Sequence, residues 1–182
     1  MNTLLILIDF YGHPALTTDD TSDTIRYSHL TKIISSSRII KDKFTIFTTP
    51  IFHKDHRLEE LKRMAINNRL KFIEVVQGQS YTLDSLASLY KPEQVIVTGT
   101  NTSGCVFKNN RIGAYHWAKR GYKTKIYLPM CCEYEQDGIN DFERNSNGFA
   151  QLYNNIQKHK RYDIKIVKDF RELELPGTDL SV

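Results

Sequence analysis

Much of what would classify this chain at a glance is missing from it. Its 182 residues include three cysteines, two of them adjacent at Cys131 and Cys132. That is no disulfide framework, and without a Cys-x-x-Cys pair nothing suggests a zinc knuckle. Reduced thiols are the expectation. No apolar run approaches the ~20 residues needed to cross a bilayer. The opening Met1-Asn-Thr-Leu-Leu-Ile-Leu-Ile8-Asp9 has no basic stretch before its apolar segment and meets a carboxylate within it, so neither a membrane span nor a secretory leader is expected. The chain reads as cytoplasmic. Repeats and low-complexity tracts are also missing, and one globular domain over residues 1–174, with a flexible tail at 175–182 around Pro176 and Gly177, accounts for the length.

No sign of charge dominates either. Lys and Arg number 25 against 21 Asp and Glu, a net charge of +4 with a pI near 8.9. The densest basic cluster, Lys158-His-Lys160-Arg161, closes a predicted helix, where cations complement the dipole in any case. A nucleic-acid face usually concentrates its charge, so a nucleic-acid partner is not expected.

What the chain does have is alternation. Apolar or β-branched runs at Leu4–Ile8, Phe44–Phe47, Lys71–Val76, Val95–Val97, Lys123–Leu128 and Asp163–Val167 read as six strands. Between them lie helical patterns: Asp23 to Ile34, the stretch after Asp55, Thr82 to Tyr90, Gly104 to Lys119, and a last helix starting at Asn140 with Glu143 in capping-box position. The economical architecture is an α/β three-layer sandwich around a mainly parallel, Rossmann-like six-stranded sheet. Such sheets bind ligands outside the carboxyl ends of the strands, where the strand order reverses.

Two residues fall independently at that edge. Asp9 ends the first strand. Cys105 lies just past the fourth, after Gly99-Thr-Asn-Thr-Ser-Gly104, in the first turn of a predicted helix whose N–H groups and dipole favour a thiolate. Alone, Asp9 could cap a loop and Cys105 could fill a small apolar gap; together they mark a candidate site. Phe10, Tyr11, His13, Phe52, Tyr81 and Tyr134 sit at strand ends and could form an aromatic wall for a flat ring substrate, or serve as local cover. The vicinal Cys131 and Cys132 read as structural.

The strand ending Leu7-Ile-Asp9, the run Val95-Ile-Val-Thr-Gly99, the following Thr-Asn-Thr-Ser-Gly-Cys105-Val106 and the later Gly121-Tyr122 together resemble the isochorismatase-like cysteine hydrolases, which include nicotinamidases, N-carbamoylsarcosine amidases and isochorismatases. The order of elements matches from about Leu4 to Leu173. The resemblance implies Cys105 as nucleophile and Asp9 as general base. It also implies an oxyanion held by the Cys105 N–H and one from the turn at Thr100 and Asn101. The family's catalytic lysine falls at Gln77 in Gln77-Gly-Gln-Ser-Tyr-Thr-Leu, and a neutral amide cannot lower a thiol pKa by charge. Lys54 is a more distant substitute. His53, Asp55 and His56 have the residue types of the family's metal motif in another order, so no metal and no other cofactor is expected.

The expectation is thus a cysteine hydrolase acting on the C–N bond of a small amide. The alternative is a catalytically impaired small-molecule-binding or regulatory protein on the same fold. A homo-oligomer is expected from the resemblance.

Overall fold

The computed structural model describes residues 1–10, 20–36, 43–49, 56–75, 80–109, 111–135, 138–141 and 147–175. Its centre is a six-stranded sheet in the order β3-β2-β1-β4-β5-β8, every pair parallel. The strands are β1 (Thr3–Ile8), β2 (Phe44–Thr48), β3 (Lys71–Glu74), β4 (Gln94–Gly99), β5 (Lys123–Tyr127) and β8 (Ile164–Val167). Order runs outward one way from β1 through β2 to β3 and the other way from β4 onward, so the reversal lies between β1 and β4. Those two strands pair over their whole length, Thr3 with Gln94 to Ile8 with Gly99.

Parallel strands covered on both faces need apolar side chains on both, and β1 is buried at every position. Leu5 and Leu7 point into one core with Leu30, Ile33 and Ile34 of helix α1 (Asp20–Ser36) and with Leu58, Leu61 and Ala65 of α2 (His56–Asn67). Leu4, Ile6 and Ile8 point into the other with Leu83 and Leu86 of α3 (Leu83–Tyr90), Trp117 of α4 (Ala114–Lys119), and Phe149 and Leu152 of α5 (Asn147–Lys158). Each such side chain contributes up to about 2 kcal/mol of burial free energy. Helix α3 starts at a reciprocal cap: the Thr82 hydroxyl accepts from the Ser85 N–H, and the Ser85 hydroxyl accepts from the Thr82 N–H. No described helix is long and apolar enough to cross a membrane.

Three sequence expectations change. The single helix from Gly104 to Lys119 is two pieces, a π-helical turn at Thr102–Val106 that runs on to Lys108, and α4. The Asn109 side-chain carbonyl separates them by accepting from the N–H groups of Arg111 and Ile112. Gly113 restarts the helix so close to its surroundings that a Cβ there would lie 2.5 Å from the Asn109 nitrogen. The helix expected from Asn140 begins only at Asn147, because Cys132–Glu135 (β6) and Gly138–Asp141 (β7) form an antiparallel hairpin in which Asn140 pairs with Glu133. Finally, Leu175, the first residue of the expected tail, is buried in the core with Leu173; residues 176–182 lie outside the described ones.

Candidate active site

The carboxyl ends of β1 and β4 touch through backbone. Gly99 has φ +135, and a Cβ on it would lie 1.9 Å from the Ile8 carbonyl oxygen, so only glycine lets the strands finish side by side. Immediately beyond, the Thr100 N–H donates to that same Ile8 carbonyl at 2.9 Å. The Asp9 backbone turns into the left-handed region at φ 47. Its N–H donates to the Thr49 hydroxyl at 2.8 Å, and that hydroxyl in turn donates to the Asp9 carboxylate at 3.2 Å. The end of β2 thus fixes the carboxylate that ends β1.

The Thr100 hydroxyl is a junction. It donates to the Asp9 carbonyl at 2.9 Å and accepts from the Arg26 guanidinium at 3.2 Å, with the Cys132 thiol 3.4 Å away. Arg26 is 2% exposed and lies over the Phe10 ring, 5.1 Å from its centroid. A buried cation is tolerable only with partners of this kind. The spacing Arg26, Leu30, Ile33 puts it on the inward stripe of α1, a signal the sequence carries but which hydrophobicity alone passes over.

Asn101 then sets the turn that carries Cys105. It takes left-handed φ 58, and its side-chain oxygen accepts from the Gly104 N–H at 3.1 Å. A Cβ on Gly104 would lie 2.4 Å from that oxygen, so the glycine before the cysteine is required by the cap. The carbonyl of Cys132 accepts from the Asn101 N–H at 2.9 Å and from the Thr102 hydroxyl at 3.2 Å, clamping the turn from the β5 side. Cys131 and Cys132 are fully buried thiols in a structural setting, and Cys105 is half-buried. Because its helical segment is short, the dipole at Cys105 is that of about two turns.

Beside Cys105 an open cleft of about 510 Å³ is lined by Tyr81, Gly104, Cys105, Lys108, Asn109 and Arg111. Tyr81 packs edge-to-face with Phe47, and the Arg111 guanidinium lies over the Tyr81 ring, 5.8 Å from its centroid. Burial pushes the Tyr81 phenol up; the charge of Arg111 pulls it down, and that of Asp9 pushes it further up. Asp9 is therefore within electrostatic reach of a residue that shares the cleft with Cys105, although it does not itself line the cleft.

Of the other expected site residues, Tyr81 lines the cleft beside Cys105. Phe10 does not: 1% exposed, it turns into the core against Tyr27 and beneath Arg26, and its place is structural. The turn's implied oxyanion donors are occupied, the Thr100 N–H by the Ile8 carbonyl and the Asn101 N–H by the Cys132 carbonyl. Gln77, Tyr11, His13, Phe52, His53, Lys54 and Asp55 lie outside the described residues. Lys108 and Arg111 were not anticipated, since charged residues after a helix start read as a solvated face.

Neither a protein-family model nor a curated protein sequence matches the chain. Among solved structures, that of the nicotinamidase SaPncA from Staphylococcus aureus matches with a TM-score of 0.55, covering 90% of this chain and 99% of that one. At 17% identity the likeness is one of fold. Six parallel strands reversing order between β1 and β4, overlaid across nearly the whole of both molecules, give this chain the α/β fold seen in that nicotinamidase.

Proposed function

We propose that the chain is a cysteine hydrolase acting on the C–N bond of a small amide, with Cys105 as nucleophile and Asp9 as general base. The observation that carries this reading is the convergence of β1 and β4: the strand ending in Asp9 and the turn bearing Cys105 are locked together at the Gly99–Ile8 contact, and a cleft opens on the cysteine. In the first step the Cys105 sulfur attacks the amide carbon while Asp9 takes the thiol proton. The tetrahedral intermediate expels the amine, which leaves with that proton, and a thioester remains. Water, deprotonated by Asp9, then attacks the thioester; the acid is released and the thiol restored.

Purified protein supplied with a panel of small amides should release ammonia or amine, and Cys105→Ala should lower the rate at least about a thousandfold. Asp9→Asn should lower it about a hundredfold with the fold intact. Release by Cys105→Ala at the parent rate would end the proposal.

A second reading, a binding or regulatory protein on the same scaffold, is favoured by the two turn N–H groups spent on backbone carbonyls. It is also favoured by a glutamine at position 77. A protein of this kind would bind a small ligand at the cleft and release nothing. The expected homo-oligomer belongs to the same proposal, and sedimentation equilibrium tests it.

A further inference from the structure

The break in the chain between the π-helical turn and α4 has a chemical consequence. An uninterrupted helix from Gly104 would place residues 108 and 111 on successive turns leading away from the strand ends. Instead, Asn109 stops the helix by capping the N–H groups of Arg111 and Ile112, and Arg111 comes back over Tyr81. Lys108 and Arg111 then line one cleft with Cys105, and among the described residues that lining contains no carboxylate. Asp84, the acid of the neighbouring α3, pairs with Arg120 at 3.1 Å and so does not neutralise either cation. The Tyr81 ring holds Arg111 from one side and leaves its fork of N–H groups to meet a planar acceptor.

We propose that Lys108 and Arg111 form an anion subsite beside Cys105, and that the substrate is a small amide carrying a carboxylate. This rests on the reading of Cys105 as nucleophile. Two parallel N–H groups of a guanidinium match the two oxygens of a carboxylate, and Lys108 adds a point charge. Asn109, its side-chain oxygen spent on the backbone, keeps the break rigid and is a positioning residue. The cleft as a whole then admits anionic molecules in preference to neutral ones of similar size.

Alkylation of Cys105 by iodoacetate and by iodoacetamide tests this. The two reagents make the same bond, sulfur to methylene with loss of iodide, and differ in one negative charge. Cys131 and Cys132 are fully buried, so labelling of the folded protein, mapped by peptide mass, reports on Cys105. Relative to the same ratio for glutathione, the iodoacetate-to-iodoacetamide rate ratio at Cys105 should be raised about tenfold. Arg111→Gln should lower it about tenfold and Lys108→Gln about threefold. Both positions are exposed, and Arg111→Lys provides a variant that keeps the charge and loses the fork.

A ratio equal to that of glutathione, or one unmoved by both glutamine variants, overturns the anion subsite and leaves the nucleophile reading standing. An equal loss of both rates in Arg111→Gln also overturns it, since the cation would then act on the thiol itself. Failure of both reagents to label Cys105 overturns the subsite and the nucleophile reading together.

Discussion

Gly99 and Ile8 approach so closely that a single added methyl carbon on the glycine would sit 1.9 Å from the isoleucine carbonyl oxygen. No rotamer change relieves such an overlap, because both partners are backbone, and φ +135 penalises any L side chain as well. Gly99→Ala should therefore lower stability by about 3 kcal/mol or more, read as a fall in the urea midpoint. An unfolding free energy within about 0.5 kcal/mol of the parent would mean that the strands do not meet in this way.

Thr100 gathers Arg26, the Asp9 carbonyl and the Cys132 thiol on one oxygen. Thr100→Val keeps the shape and removes the oxygen, leaving a buried guanidinium short of an acceptor, and should cost about 2 to 3 kcal/mol. Thr100→Ser should recover most of that in the same denaturation measurement. Equal losses in both variants would assign the effect to packing.

Asn101 joins a left-handed backbone to a side-chain cap on Gly104. Asn101→Ala loses the acceptor and pays for φ > 0, about 2 kcal/mol in total, whereas Asn101→Asp keeps an acceptor and should cost under about 1 kcal/mol. Because this cap shapes the turn before Cys105, alkylation of the cysteine by iodoacetamide should also slow in the alanine variant and much less in the aspartate one.

At the other end of the sheet, hydrogen bonds from Lys123 and then Lys125 hold the Glu174 carboxyl down to about 2, below its ordinary 4.5. A carboxyl depressed on folding adds stability that is complete above its unfolded pKa and is lost as pH falls toward the folded one. The melting temperature should therefore decline from about pH 4.5 to about pH 2, and Glu174→Gln should flatten that limb. Glu174 is 48% exposed, so the effect is screened and should shrink in about 0.5 M salt. An unchanged acid limb in the glutamine variant would assign it to other groups.

The sheet was readable in the sequence because β1, β2 and β4 are covered on both faces and so show continuous apolar or β-branched runs. The hairpin β6–β7 was not: each strand is only four residues long, Gly138–Asp141 carries a single large apolar side chain, and Asn140 with Glu143 imitates a helix start. The Asp137-Gly138 dipeptide was the better signal there. The break before α4 escaped because Val106, Phe107, Ala114 and Trp117 continue an apolar pattern straight through it, and what ends the helix is one amide side chain.

Within the candidate site, Asp9 and Cys105 drew notice by residue type at strand ends. Phe10 did the same and is a core residue, because the chain turns at Asp9 and sends the next side chain back inward. The Cys132 carbonyl that clamps the cysteine turn carries no residue signature at all. Lys108 and Arg111 acquire meaning only from the fold, since their cleft exists only once α3 has brought Tyr81 alongside.

Lys125 is a lysine in the middle of a central strand, 2% exposed, and it spends its ammonium on the carbonyls of Glu172 and Leu173 and on the Glu174 carboxylate. Gln94, at the start of β4, donates to the same Leu173 carbonyl. The residues after β8 are thus latched onto the two strands that carry the cysteine turn, at the edge away from it. Cutting the chain before Phe170 would take these acceptors from Lys125 and uncover the core that Leu173 and Leu175 close, so a shortened version ending at β8 should be recovered as an aggregate.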